Sequence, residues 1–248
     1  MKREVAGRMV CFRFVVLLCL IPLHGCWAGE TVPRAWQPLC KQAISQPFKP
    51  LAAGAAGDPL LAAVRTGAGP AQFKPLLEAG ELDRPRGERG YTALGTAAML
   101  GNWPAAQMLL KAGARIDAPG RDGNTPLHWA LVGGQFGMAC QLLKSGATLP
   151  DPERHPTLLP LVALSESFEP AALVADYLIA HGYAVDATAT GNRDTALMIA
   201  AELGNQALVT VLLKHGADVG LRNARGETAA QVARRAGFTE LARTIAAR

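Results

Sequence analysis

Apolar and polar positions along the 57–248 segment repeat with a period of roughly 33 residues, which is within the range typical of repeat proteins. A Leu-Leu pair ends three positions before a glycine in successive repeats, and Gly80, Gly113 and Gly146 are evenly spaced at this period. Gly182 and Gly216 continue the series at slightly longer intervals. Threonine is a second marker. Thr92 and Thr125 are separated by the same period as the first three glycines, and so are Thr195 and Thr228. Two markers with one period indicate an internal repeat.

The clearest repeat carries a recognisable motif. It reads Asp122-Gly-Asn-Thr-Pro-Leu-His-Trp-Ala130, followed by Gly134 and then by Cys140-Gln-Leu-Leu-Lys-Ser-Gly-Ala147. This unit resembles the ankyrin repeat, and the units that begin near Gly90 and Thr195 are similar to it. The resemblance covers residues 57–248 as six units, of which the first and last are degenerate caps. It implies an all-α solenoid of helix-turn-helix units, with thirteen or fewer helices and no sheet beyond hairpin-like turns.

The motif residues have structural roles. Thr125 is placed to cap the first helix and Pro126 suits its first turn. Leu127 and Ala130 lie three residues apart and therefore face the neighbouring unit. Gly146 supplies the positive φ that ends the second helix. The resemblance implies that the ring of His128 ties adjacent turns together and that it has no catalytic role.

Two units depart from the pattern. Pro75 falls within the expected second helix of the first unit, which predicts a short or kinked helix there. The fourth unit is four residues longer than the third, and we expect its extra residues, around 165–170, to form a longer loop between its two helices.

The chain begins with the features of an export signal. Four basic residues precede a ten-residue apolar run at 14–23, which is too short to span a bilayer. We predict a signal peptide over residues 1–28, removed before Gly29; the alternative is a lipobox in which Cys26 becomes the lipidated first residue. The net charge is +5, of which the predicted signal peptide contributes +3, so the mature chain carries +2. That small charge does not favour a nucleic-acid partner.

Residues 29–56 form a Pro-rich N-terminal extension outside the repeats. We expect an extended segment that lies partly over the first unit, or else a flexible tether. It contains Cys40, and the third unit contains Cys140. Two units of separation imply a distance of about 20 Å, whereas a disulfide requires Cα atoms within about 7 Å, so we predict that these cysteines are not bridged.

The sequence carries no signature of catalysis. It contains no H-E-x-x-H, G-x-S-x-G, C-x-x-C or phosphate-binding glycine loop, so we predict no catalytic residues, no metal and no cofactor. An unrecognised hydrolase is the alternative from another functional class. The absence of a second long apolar run predicts no transmembrane segment.

The resemblance implies a concave protein-binding face, formed by the hairpin tips and the first helices of the units. The non-packing positions on that face are the candidate partner-binding residues: Arg89, Tyr91, Met99, Leu100, Asp122, Asn124, Val132, Asn192, Asp194, Glu202, Leu203, Arg225 and Glu227. Among them, Tyr91, Met99 and Leu100 are expected to form the centre of the interface.

Together these features predict a monomeric, non-enzymatic protein-binding module in the periplasm of a Gram-negative bacterium, soluble or lipid-anchored to the envelope. One role that the resemblance implies is that of an immunity protein that neutralises a delivered toxin. The alternative is an accessory factor for a periplasmic enzyme such as a catalase.

Overall fold

The fold is a stack of helix pairs. The computed structural model describes residues 32–45, 48–51, 58–78 and 81–248. The predicted signal peptide, with both of its processing alternatives at Cys26 and Gly29, lies outside these ranges. After a 3-10 turn at Arg34–Trp36, the described residues form thirteen α-helices: α1 (Gln37–Ser45), α2 (Pro59–Thr66), α3 (Pro70–Glu78), α4 (Ala93–Leu100), α5 (Trp103–Lys111), α6 (Pro126–Val132), α7 (Phe136–Lys144), α8 (Leu158–Ala163), α9 (Phe168–Ala180), α10 (Ala196–Leu203), α11 (Gln206–Lys214), α12 (Ala229–Arg235) and α13 (Thr239–Ala246).

Helices α2 to α13 form six successive pairs, and the first helix of each pair packs on the first helices of its neighbours. Threonine caps recur, since Thr92, Thr125, Thr195 and Thr228 each accept a backbone N–H of the helix that follows. The β-bridges found within the described ranges are isolated pairs in two hairpins. The prediction of an all-α solenoid with at most thirteen helices is therefore confirmed.

Neighbouring units are joined by side chains that bond to the backbone of an adjacent unit. The carboxylate of Asp117 accepts from the backbone N–H of Thr148, and that of Asp186 accepts from the N–H of Asp218 at 3.0 Å. Asn102 caps α5 through its Oδ1 and donates from Nδ2 to the carbonyl of Val64 in the first unit, at 2.7 Å. The register of the stack is thus fixed by polar contacts as well as by the apolar layer.

The N-terminal segment forms a strap on the second helices of the array. We use "strap" for residues 32–45 and 48–51. Its helix α1 packs against α7, and Cys40 is bonded to Cys140 with a Cα–Cα distance of 5.1 Å across 100 residues of sequence. The buried ring of Trp36 lies 4.9 Å from that of Tyr177 on α9. Gln141 donates to the carbonyl of Cys40 at 2.5 Å.

The prediction that Cys40 and Cys140 are not bridged is therefore wrong. Its distance argument assumed that the extension stays near the first unit, whereas α1 lies beside the third unit and places Cys40 directly on α7. The strap then reaches the first unit, where the N–H of Leu51 donates to the carbonyl of Arg65 at 2.9 Å. Burial of Val32, Trp36 and Leu39 holds the helix in place.

Two expectations about unit lengths are also corrected. The four extra residues of the fourth unit lengthen its second helix rather than the loop, because α9 has thirteen residues and α7 has nine. Pro170 is tolerated at the third position of α9, where its missing N–H would have no helical partner. Of the two outcomes expected at Pro75, a short helix is wrong, since α3 also has nine residues, and a kinked helix stays a prediction. The carbonyl of Ala71, which Pro75 leaves without an N–H, belongs to an exposed residue that water can reach.

Candidate functional site

Four aromatic side chains form a row across the hairpins and first helices of units two to four. We call Tyr91, Trp129, His128 and His155 the aromatic row. The ring centroids of Tyr91 and Trp129 are 4.4 Å apart, those of Trp129 and His128 are 5.4 Å apart, and those of His128 and His155 are 4.8 Å apart. Tyr91, Trp129 and His155 are half-buried, so the row presents ring surface to solvent.

The local sequence explains why Tyr91 and Trp129 meet. Tyr91 is fixed by its hairpin, in which its carbonyl accepts from the N–H of Arg86 at 2.8 Å. Trp129 lies over Gly95 of α4, where an added Cβ would stand 3.5 Å from the indole Cδ1. The corresponding positions of other units hold the larger side chains of His128, Met198 and Gln231. The distance of 3.5 Å is an ordinary van der Waals contact, so the indole packs directly on α4 at Gly95, where the larger side chains of the other units are missing.

His128 is the buried member of the row. Burial, followed by the nearby charge of His155, lowers the pKa of His128 to about 4, so its ring is neutral at neutral pH. Its Nδ1 is buried without a hydrogen-bond partner among the described residues. The ring packs against that of His155 in the next unit, and no hydrogen bond from Nδ1 joins the turns, so the expectation that it ties adjacent turns stays a prediction.

The structure separates the predicted centre of the interface. Tyr91 precedes α4, whereas Leu100 is its last residue, so the two lie about 12 Å apart along the helix axis. Leu100 lines a cavity of about 370 Å³ beneath the strap, together with Phe48, Gln135 and Phe136. The half-buried Met99 lies beside Leu100. The neighbour of Tyr91 is Trp129, which is not among the predicted partner-binding residues.

The other candidates in units two and three lie around the aromatic row. Arg89 and Asp122 are exposed at hairpin tips, and Asp122 accepts from both the backbone and the side-chain amide of Asn124. Val132 is half-buried against the core. The aromatic row thus has charged and polar residues at its rim, which is the usual composition of a protein interface.

The candidates in units five and six are engaged with one another. Asp194 accepts from the amides of Asn192 and Asn223, the latter at 2.7 Å. Glu227 accepts from Arg225 at 2.7 Å and from Arg235 at 2.9 Å, and Arg235 also pairs with Glu202. Burial alone would raise the pKa of Glu227, but the hydrogen bonds from Arg225, Arg235 and Asn223 outweigh it and lower that pKa. Leu203 packs against the core. These side chains form a polar network that holds two units together.

The described part of the chain contains no group of three or more His, Cys, Asp or Glu side chains that could hold a metal ion. None of its helices has the length and apolar character needed to cross a membrane.

Comparison with known proteins agrees with this architecture. A family model for ankyrin repeats matches three copies over residues 60–152 and 163–248. A chain of the solved complex between the predatory endopeptidase Bd0816 and the immunity protein Bd3460, from Bdellovibrio bacteriovorus, matches with a TM-score of 0.59 and 27% identity. The match covers 81% of this chain and 100% of that chain. No curated protein sequence matches. Since the family model covers well over half of its length, the chain belongs to the ankyrin-repeat family.

Proposed function

We propose that this protein is an exported, non-enzymatic immunity protein that binds and blocks an endopeptidase in the periplasm. The observation that carries the proposal is the match, over the whole of the matched chain, to the complex of an endopeptidase with its immunity protein. An immunity protein acts by binding another protein, and the repeat array supplies an extended face for that purpose.

The aromatic row is the proposed centre of that interface. Half-exposed aromatic rings with a charged rim are the side chains that contribute most to binding when a partner removes them from water. Tyr91 and Trp129 are held by a hairpin and a helix rather than by a loose loop, so little side-chain entropy is lost on binding.

The disulfide between Cys40 and Cys140 supports export, because such bonds persist in oxidising compartments such as the bacterial periplasm. The basic and apolar run at the start of the chain supports the same location. Processing of that run yields either the soluble form that begins at Gly29 or the form lipidated at Cys26.

The test is a titration against the exported endopeptidases that the same genome encodes. Each enzyme is purified and its hydrolysis of a peptide substrate is measured with and without this protein, while calorimetry gives the dissociation constant. We expect one enzyme to bind with nanomolar affinity and to lose most of its activity at an equimolar ratio. Absence of binding to every endopeptidase, or a rise in activity as an accessory factor would give, overturns the proposal.

Two variants identify the face. Tyr91→Ala removes an aromatic anchor and should weaken binding about thirtyfold, a change of about 2 kcal/mol. Lys111→Ala is the matched control, since Lys111 is exposed in the last turn of α5, on the second helices of the array. Binding that responds to Lys111→Ala and not to Tyr91→Ala would assign the interface to the other face.

A further inference from the structure

The hairpin of unit five carries an arginine at a position where the hairpins of units two, three and six carry glycine. The residue two positions before the capping threonine has a positive φ in four units: 67° at Gly90, 79° at Gly123 and 76° at Gly226, but also 58° at Arg193 in unit five. Glycine adopts this left-handed conformation without steric cost, whereas an arginine Cβ approaches the following carbonyl oxygen. Arg193 therefore introduces strain that the same position avoids in units two, three and six.

The surrounding hairpin maintains this strained conformation. The N–H of Ala189 donates to the carbonyl of Asp194 at 2.8 Å, and the N–H of Ala224 donates to the carbonyl of Asn192 at 2.8 Å. The carboxylate of Asp194 is fixed in turn by Asn192 and Asn223. Because residues on both sides of Arg193 are bonded within the hairpin and to the next one, its backbone cannot relax without breaking these contacts.

The side chain of Arg193 contributes nothing to the fold that would offset the strain. It is exposed, and it forms no ion pair or hydrogen bond with the residues that the structure describes. The arginines of the next hairpin differ, since Arg222 donates to the carbonyl of Gly226 and Arg225 pairs with Glu227. Strained backbone conformations that bring no internal contact are found mainly at functional positions.

We infer that Arg193 is a partner-binding residue whose guanidinium receives a carboxylate of the bound protein. A planar guanidinium on a rigid hairpin tip can make two parallel hydrogen bonds to a carboxylate, and arginine is enriched among the residues that dominate interfaces. The partner is the one named under the proposed function, on which this inference rests, and it must present an acidic side chain opposite unit five. The interface thus extends from the aromatic row to the fifth hairpin.

The first experiment needs no partner and measures the strain by thermal unfolding. Arg193→Gly and Arg193→Asn place residues that accept a positive φ, and each should raise the melting midpoint by roughly 1–3 °C. Arg193→Ala keeps the strain and should leave the midpoint unchanged. Gly123→Ala is the reverse control: nothing lies within 4 Å of the added Cβ, so the backbone alone should lower the midpoint. If Arg193→Gly and Arg193→Asn do not raise the midpoint, the position is not strained and the inference fails.

The second experiment measures binding of the same variants to the endopeptidase by calorimetry. All three Arg193 variants should bind at least tenfold more weakly than the wild type, although two of them are more stable. If they bind like the wild type while Tyr91→Ala binds weakly, the inference about Arg193 is wrong and the proposed function stands. If the wild type binds no endopeptidase, cross-linking in the exporting cells identifies whichever protein it contacts. If that cross-link is lost in Arg193→Ala, the inference about Arg193 is supported and the proposed function is not. If the cross-link persists, or if no protein is cross-linked, the inference is overturned.

Discussion

Units two to four and units five and six use the same face of the array differently. In the first region the face carries the aromatic row, whose rings contact one another and of which Tyr91, Trp129 and His155 remain half-exposed. In the second region the equivalent hairpins carry carboxylates, amides and guanidinium groups that pair with one another. The position before the capping threonine shows the contrast most directly, since it is Tyr91 in unit two and Asp194 and Glu227 in units five and six.

The two regions show that the same hairpin positions can either bond neighbouring units together or leave surface for a partner. The paired polar residues of units five and six bond these two units to each other. The aromatic rings of units two to four leave apolar surface that a partner can bury. Arg193 is the exception in the second region, because it is exposed at a hairpin tip without an internal partner among the described residues.

The largest expected effect concerns the strap, which covers the third unit and has no counterpart on units five and six among the described residues. The double variant Cys40→Ser with Cys140→Ser removes a cross-link that closes a loop of 100 residues, and it should lower the free energy of unfolding by about 4 kcal/mol. Denaturant titration measures this value, and the wild type under reducing conditions is the control. A loss below about 1 kcal/mol, at the bottom of the range for disulfides, would show that the apolar contacts of Trp36 and Leu39 hold the strap without the bond.

The second prediction tests whether the two regions differ only at their surface. Leu109 and Leu212 occupy equivalent positions on α5 and α11, and both are fully buried. Leu109→Ala and Leu212→Ala should each cost about 3 kcal/mol in unfolding free energy, because each leaves a core cavity. Denaturant titration of the two variants gives the comparison. Costs that differ by more than about 2 kcal/mol, which is nearly the full spread of Leu→Ala costs in one protein core, would mean that the cores of the two regions are unequal as well.

The third prediction concerns pH and is specific to the aromatic row. The pKa of His128 is about 4 in the folded protein and about 6.5 when unfolded, so the unfolded chain binds the additional proton between these values. Stability should therefore be unaffected by His128 above pH 6.5, fall as the pH decreases through this window, and lose about 2 kcal/mol by pH 5. His128→Gln should remove this part of the pH dependence, as measured by denaturant titration at pH 7 and pH 5. An equal loss in the variant would assign the effect to other groups.

The smallest effects on stability come from one residue of each region. Tyr91→Ala removes one aromatic contact, and Asp194→Ala removes the acceptor of two amides; each should cost about 1 kcal/mol in unfolding free energy. Binding should distinguish them, since Tyr91→Ala loses about thirtyfold in affinity and Asp194→Ala loses much less. If Asp194→Ala weakens binding as strongly as Tyr91→Ala, the polar network is itself part of the interface.

The repeats could be predicted from the sequence because each unit carries its own signals. Thr125, Pro126 and Gly146 act within one unit or between adjacent units, so their spacing alone reveals the helices. The strap carries no such periodicity. Its position depends on contacts of Trp36 and Cys40 with residues far along the chain, and no local pattern indicates which helix they reach.

The candidate site was predictable in part. The motif places Tyr91 in the hairpin, but it does not show that the indole of Trp129 packs against Tyr91 and over Gly95. The signal for Arg193 was present in the sequence, since it stands in register with Gly90, Gly123 and Gly226. Its significance required the backbone angle, because only a positive φ makes an arginine unfavourable there.

The bond between Cys40 and Cys140 also sets the order of steps by which the chain reaches its folded state. Synthesis proceeds from the N-terminus, so Cys40 exists before its partner and must remain a reactive thiol until the chain has grown by 100 residues. The strap cannot be bonded to the array until α7 has been synthesised. Formation of this disulfide therefore shows that the chain has been made through the second helix of the third unit. Any other thiol encountered in that interval competes with Cys140, and the burial of both sulfurs in the finished protein ends that competition.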